Sequence, residues 1–139
     1  MLVKDVMNKN AITAEPETSV RETIRMMIDN HIGSVIVVKN NKIVGIMTER
    51  DVLVELATNK DRDIDQLKVG DIMTRWIITV KPDDTVEKAI ELMMKNKIKK
   101  LPVVKNEKLV GIITSNDIAV LEPKLIEKLS SLLLTHVRY

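Results

Sequence analysis

The sequence predicts an α/β (α+β) fold in which two β-α-β-β-α units pack with pseudo-two-fold symmetry and a C-terminal helix follows. The first observation is a repeat, because KIVGIMTERDV at 42–52 returns as KLVGIITSNDI at 108–118. Displacing the chain by 66 positions aligns 3–53 with 69–119 without a gap, and about 21 of the 51 pairs are identical. The second observation is that short apolar runs and helical apolar periodicity alternate in each copy. A unit this small cannot cover its own apolar face, so the copies are expected to pack together.

The first half of each copy predicts a helical turn, a short extended run and a helix. The turns are VKDVM and VGDIM, and the runs AIT and IIT end before Pro16 and Pro82. A capping box predicts that the helix starts at Ser19, with Glu22, in copy one and at Asp84, with Glu87, in copy two. Asparagines predict where these helices stop, and one face of each is apolar. The stops are Asn30 and Asn96, and the apolar faces are Val20, Ile24, Met27 and Ile28 in copy one and Val86, Ile90, Met93 and Met94 in copy two.

The second half of each copy predicts a hairpin and a last helix. SVIVV and LPVV are followed by the polar turns KNNK and KNEK and then by KIVGIMT and KLVGIIT, which is the pattern of two buried strands. The last helices are expected to begin at Thr48 and Thr114. Gly45 and Gly111 lie in the second strand of each hairpin, where we interpret them as backbone requirements rather than phosphate-binding glycines.

These elements predict residues 1–58 as the first unit, 59–68 as a linker, 69–121 as the second unit and 122–139 as the C-terminal helix, all in one module. Pro123 suits a first helical position. The helix could pack on its own module, pack on a second copy or dock to a target, and we favour packing over docking. Its predicted apolar face is Leu125, Ile126, Leu129, Leu132 and Leu133.

Composition excludes several classes of protein. The chain has 139 residues, no Cys, no Phe, two His and a net charge of +2, so a disulfide framework, a metal site and a nucleic-acid surface are not expected. No apolar run approaches the length of a membrane span or of a signal peptide core, which predicts a cytoplasmic location. The four glycines form neither GxGxxG nor GxxxxGK, and GxSxG and HExxH are absent, so an enzyme is not expected.

The unit, its GIxTxxD turn and its duplication resemble the cystathionine β-synthase (CBS) domain, which occurs in tandem pairs. The resemblance covers nearly the whole chain and implies a stand-alone regulatory module. Relatives bind adenosine-type ligands such as AMP, ADP, ATP or S-adenosylmethionine in two clefts between the paired units, where the Asp of the motif takes the ribose hydroxyls. The sequence leaves open whether magnesium accompanies a polyphosphate ligand.

The resemblance also implies which residues bind the ligand. In copy two Lys100 stands where relatives often carry a cation for phosphate, whereas copy one has Ser34 there and its cation is Arg50, so each copy could lend part of the phosphate site across the cleft. The residues implied for copy one are Ile12, Thr13, Ala14, Ser34, Val35, Ile36, Thr48, Arg50 and Asp51. Those for copy two are Ile78, Thr79, Val80, Lys99, Lys100, Leu101, Pro102, Thr114, Asn116 and Asp117.

A plainer interpretation of the two turns needs no ligand. Thr48 and Thr114 suit N-caps, and Asp51 and Asp117 suit the first turn of a helix, where a carboxylate is stabilising. Both roles are compatible. The leading prediction is a non-enzymatic sensor that binds an adenine nucleotide, forms a homodimer and signals to a separate, unknown protein target. The alternative is a protein or nucleic-acid adaptor whose nucleotide sites are vestigial.

Overall fold

The chain forms two compact units, which are described separately. The structure, a computed structural model, describes all residues except 60, 62, 76, 122–128, 131, 133 and 135–138. The continuous unit is Ile12–Ile77, and the split unit joins Met1–Ala11 to Ile78–Tyr139. The sequence copies and the compact units are therefore offset, since the opening turn of each copy belongs to the unit that holds most of the other copy.

Eleven named elements follow in the predicted order. In chain order they are α1 (Val3–Val6), β1 (Thr13–Ala14), α2 (Val20–Asp29), β2 (Ser34–Lys39), β3 (Lys42–Thr48), α3 (Glu49–Thr58), α4 (Val69–Ile72), α5 (Val86–Asn96), β4 (Lys100–Lys105), β5 (Lys108–Thr114) and α6 (Ser115–Ala119), with a short 3-10 turn at Ile64–Gln66 before α4. The mixed α/β class is confirmed. Within the described residues, no helix is long and apolar enough to cross a membrane.

The continuous unit is built on a three-stranded sheet with the order β1-β2-β3. β1 runs parallel to β2, with Thr13 opposite Ile36, and β2 pairs antiparallel with β3, with Ser34 opposite Thr48. Asn40 and Asn41, with φ of 54° and 63°, make the two-residue turn of this hairpin. Positive φ at both central residues suits the right-handed twist of the flanking strands.

The split unit repeats this arrangement with β4 and β5. These strands pair antiparallel, with Lys100 opposite Thr114, and Val80 forms a parallel bridge with Val103 where copy one has β1. The register shifts between Val103 and Val104, as it does at the equivalent Val37 and Val38 of copy one. The two sequence copies thus have the same hairpin strand register, including the register shift at the equivalent position.

Each unit has its own aliphatic core, as a chain without Phe requires. The core of the continuous unit contains Ala14, Val20, Met27, Val35, Val37, Met47, Leu67 and Val69. That of the split unit contains Val3, Val80, Val86, Ala89, Ile90, Met93, Ile98, Leu101, Val103, Ile113, Ile118, Leu129 and Leu132. Of the predicted C-terminal apolar face, Leu129 and Leu132 are thus buried in the split unit. Pro123, Leu125, Ile126 and Leu133 lie outside the described residues.

The helix boundaries confirm most of the predictions and correct one. Ser19 caps α2 by accepting a hydrogen bond from the amide of Glu22 (3.1 Å). The prediction of Asp84 as the cap of α5 is wrong, because Thr85, the repeat equivalent of Ser19, accepts from the amide of Lys88 (3.1 Å).

Asp84 makes a turn of its own one residue earlier. Its carboxylate accepts from the amide of Lys81 (2.8 Å) and from Lys88 Nζ (3.2 Å), and these bonds, the first above all, lower the pKa of Asp84. Asn30 follows α2 as predicted. Asn96 is the last residue of α5, and Lys97 makes the left-handed cap (φ 56°).

Candidate functional site

The turn between β3 and α3 holds three predicted site residues of copy one. Thr48 Oγ1 accepts from the amide of Asp51 (3.1 Å), and Asp51 Oδ2 accepts from the amide (2.9 Å) and the hydroxyl (3.0 Å) of Thr48. This is a reciprocal capping box, and Thr48 is only 7% exposed. The plainer interpretation of both residues, that they start a helix, is therefore confirmed for copy one.

The second oxygen of Asp51 has a partner that the sequence did not predict. Asp51 Oδ1 accepts from the hydroxyl of Thr74 (3.1 Å), whose backbone pairs with Ile46 by two hydrogen bonds of 2.8 Å. Thr74 follows α4, 23 residues away in sequence. One feature of the sequence could have pointed to Thr74. Met7 and Met73 are identical in the repeat, but the residues that follow them differ, Asn8 in copy one and Thr74 in copy two.

The turn between β5 and α6 has the same backbone but a freer carboxylate. Asp117 Oδ2 accepts from the amide of Thr114 (3.1 Å), and Thr114 Oγ1 accepts from the amide of Asp117 (3.2 Å). Asn8 pairs with Ile112 just as Thr74 pairs with Ile46, but Asn8 Oδ1 accepts from the amide of Asn10 (2.8 Å). Within the described part of the chain, Oδ1 of Asp117 accepts no hydrogen bond.

The strand register brings one further predicted residue to each turn. Ser34 lies opposite Thr48 and is buried, and Lys100 lies opposite Thr114 and is half-buried. Burial lowers the pKa of Lys100 because a desolvated ammonium is less stable than a solvated one. An anion bound beside it would compensate part of that cost.

The first helical amides of α3 and α6 are used in the same way in both copies. The amide of Glu49 donates to the carbonyl of Gly33 (3.0 Å), and that of Ser115 donates to the carbonyl of Lys99 (2.9 Å). The threonine hydroxyls take the third amide, as given above. The second amide of each helix, at Arg50 and Asn116, finds no protein acceptor among the described residues. Amides of this kind are the groups that bind anions at helix starts.

The remaining predicted residues lie on the strands, and their side chains are mostly inside the cores. Ala14, Val35 and Ile36 are buried in the continuous unit, and Val80, Leu101 and Pro102 are buried in the split unit. A ligand contact from these six would therefore use backbone atoms. Residues that keep more exposure are Ile12, Thr13, Ile78, Thr79 and Lys99.

Each predicted set falls inside one compact unit, the copy-one residues in Ile12–Ile77 and the copy-two residues in the part of the split unit from Ile78 onwards. Within the described residues, no cluster of three or more His, Cys, Asp or Glu side chains could hold a metal ion. The two capping turns thus offer a carboxylate, a hydroxyl, an open amide and, in copy two, a half-buried cation.

Comparison with known proteins identifies the family. The model of the CBS domain matches residues 3–58 and 69–122, the two copies of the repeat. The chain belongs to the CBS domain family. An uncharacterized protein of Methanopyrus kandleri is 36% identical over 126 residues, which are 89% of this chain and 64% of that protein. The inosine-5′-monophosphate dehydrogenase of Methanocaldococcus jannaschii is 40% identical over 116 residues, 82% of this chain and only 22% of the enzyme.

A solved CBS domain pair has the same fold. The pair of protein MJ0100, crystallised with 5′-methylthioadenosine and S-adenosyl-L-methionine, superposes with a TM-score of 0.75 and 36% sequence identity. The match covers 87% of this chain and 94% of that one. The chain is thus similar over most of its length to a CBS domain pair, whereas it spans under two thirds of the Methanopyrus protein and about a fifth of the dehydrogenase.

Proposed function

We propose that this chain is a non-enzymatic regulatory module that binds adenosine-type ligands, among AMP, ADP, ATP and S-adenosylmethionine, at the capping turns of its two CBS repeats. The observation that carries the proposal is the copy-two turn, where Asp117 caps α6 with one oxygen and keeps the other open, while Lys100 lies opposite Thr114 in the strand register. The adenosine ligands of the similar CBS pair support the same class.

The chemistry of the turn suits a nucleoside with a phosphate. A carboxylate oxygen can accept from a ribose hydroxyl, and a hydrogen bond to a charged group contributes about 1.5–3 kcal/mol. The open amide of Asn116 and the ammonium of Lys100 are donors for phosphate. In copy one, Arg50 and its amide would play these parts, and Asp51 would have to release the hydroxyl of Thr74. We therefore propose that copy two holds the tighter site.

Several further properties belong to the same proposal. The module acts in the cytoplasm, pairs as a homodimer and signals to a separate, unknown protein target. In the dehydrogenase relative the matched segment is about a fifth of the enzyme. This supports a module that accompanies catalysis rather than one that performs it. Magnesium would accompany only a polyphosphate.

Thermal unfolding with a panel of AMP, ADP, ATP, S-adenosylmethionine and GTP tests the proposal. A ligand of the folded state at 100 times its Kd stabilises by about 2.7 kcal/mol, which is readily measured. We expect stabilisation by at least one adenosine compound and a larger loss of it in Asp117→Ala than in Asp51→Ala. No response to any adenine nucleoside derivative in protein freed of co-purified ligand would contradict the proposal. Salt-dependent binding of RNA or DNA instead would support the adaptor.

Lys100 allows the phosphate contact to be tested apart from the ribose. We expect Lys100→Met to weaken AMP binding while adenosine binding stays unchanged, and Lys100→Arg to preserve both. Because the pKa of Lys100 is lowered, the folded protein loses this proton at a lower pH than the unfolded chain. Between the lowered pKa of the folded state and the ordinary pKa of the unfolded chain, the free energy of unfolding should therefore rise with pH. AMP affinity should fall over the same pH range, because Lys100 loses its positive charge. Equal AMP affinity in Lys100→Met would remove Lys100 from the site.

A further inference from the structure

The backbone of Lys99, immediately before the half-buried Lys100, is hydrogen-bonded at both its carbonyl and its amide. The carbonyl accepts from the amide of Ser115 (2.9 Å), the first residue of α6, and the amide donates to the carbonyl of Tyr139 (2.7 Å). Lys100 then begins β4 opposite Thr114, the cap of α6. Tyr139 therefore contacts the start of the strand that carries the cation of the copy-two turn.

The two copies differ at this contact. In copy one the carbonyl of Gly33, the repeat equivalent of Lys99, accepts from the amide of Glu49 (3.0 Å). The amide of Gly33 donates to no acceptor within the part of the chain that the structure describes. The residue after it is Ser34, which carries no charge. Among the described residues, the second hydrogen bond thus occurs in the copy that has the cation and not in the copy that lacks it.

Tyr139 is held in the split unit by packing as well as by this hydrogen bond. Its side chain is partly buried and packs against the core that contains Ile98, Leu129 and Leu132. Ile98 is 1% exposed and directly precedes Lys99 in the chain. The ring of Tyr139 and the backbone that its carbonyl contacts are therefore fixed to the same core.

We propose that Tyr139 is a positioning residue of the copy-two site, because its carbonyl fixes the backbone of Lys99 and thereby places Lys100 for the phosphate of a bound nucleotide. This inference rests on the proposed function and adds the C-terminal segment to the site. A cation that is held in place before binding loses less conformational freedom when the phosphate arrives. Because such coupling is reciprocal, the phosphate should in turn favour the contact between Tyr139 and Lys99.

Isothermal titration calorimetry with AMP and with adenosine tests this role in an Asp51→Ala background, which isolates copy two. We expect Tyr139→Ala, which removes the ring that anchors the carbonyl, to weaken AMP binding about 2- to 12-fold, the cost of immobilising one further side chain. Adenosine has no phosphate, so its affinity should not change. Tyr139→Phe keeps the ring and the carbonyl, and it should bind both compounds like the background protein.

Hydrogen exchange of the Lys99 amide, followed by NMR on the unmutated full chain, measures the contact directly. We expect this amide to exchange more slowly with AMP bound than with adenosine bound or without ligand. A purely structural role of Tyr139 would not make the exchange depend on the phosphate. The measurement needs no variant, so it decides the question even where Tyr139→Ala does not fold.

The outcomes separate this inference from the proposed function. Unchanged AMP affinity in Tyr139→Ala, or equal losses of AMP and adenosine affinity, would overturn the positioning role and leave the nucleotide site in place. So would a loss in Tyr139→Phe as large as that in Tyr139→Ala, or an exchange rate of the Lys99 amide that does not respond to AMP. No binding of AMP or adenosine by the wild type would overturn the proposed function together with this inference.

Discussion

Asp51 and Asp117 occupy identical positions in the repeat and have different hydrogen-bond partners. Both cap a helix with Oδ2, but Oδ1 of Asp51 accepts from Thr74, whereas Oδ1 of Asp117 has no donor among the described residues. The sequence could predict the caps, because each depends on residues three apart. It could not predict the contact with Thr74, because that contact depends on how α4 packs in the continuous unit.

If the copy-one turn binds the ribose as proposed, the Thr74 hydroxyl competes with the ribose for Oδ1 of Asp51. We expect Thr74→Val, in an Asp117→Ala background that isolates copy one, to raise adenosine affinity about 3- to 10-fold. The reason is that the ribose would no longer displace a hydrogen bond, which is worth about 0.5–1.5 kcal/mol. Isothermal titration calorimetry measures the change. Thr74→Ser, which keeps the hydroxyl, is the control and should bind like the background protein. Unchanged or weaker binding by the valine variant would contradict this role.

At the scale of elements, local sequence patterns predict the hairpins and helices. The one wrong helix cap arose where two adjacent residues could both cap the helix. Asp84 and Thr85 are both acceptable caps, and Thr85, the repeat equivalent of Ser19, is the residue that caps α5. The glycines of β3 and β5 likewise follow from packing. A Cβ on Gly45 would lie 2.7 Å from Met73 Sδ and 2.8 Å from the carbonyl oxygen of Thr74. Gly111 meets Met7 and Asn8 in the same way, so each glycine permits a close approach of the opening turn.

We therefore expect Gly45→Ala to lower the free energy of unfolding by about 1–3 kcal/mol, because a backbone carbonyl cannot move aside as a side chain can. Urea denaturation measures the loss. Gly33→Ala is the matched control, since its added Cβ would meet nothing closer than the Glu49 side chain at 3.4 Å. The control should change stability by no more than about 0.5 kcal/mol. Equal effects of the two substitutions would show that the close approach at Gly45 is not what requires glycine.

At the scale of the whole molecule, the chain is divided differently in space than in sequence. The copies begin at 3 and 69, but α1 belongs to the split unit and α4 to the continuous unit. Two leucines of the C-terminal segment, Leu129 and Leu132, lie in the core of the split unit.

The C-terminal leucines should therefore matter for stability according to their burial. We expect Leu129→Ala to cost about 2–5 kcal/mol of unfolding free energy, as for other fully buried leucines. Leu134→Ala, at a side chain that is 87% exposed, should have little effect. Chemical denaturation of the full chain measures both. A small loss in Leu129→Ala would mean that the segment only lies on the surface of the split unit.

The sequence alone determined the duplicated unit, the order of its elements, the capping turns and the family. These features depend on residues that are close in the chain, or on a repeat that appears when the sequence is aligned with itself at a displacement of 66 residues. The tertiary structure alone decided that the opening turns are exchanged between units, that Thr74 reaches Asp51 and that Leu129 and Leu132 lie in the core of the split unit. Each of these is a contact between distant segments, and local propensity carries no information about which distant segment supplies the partner.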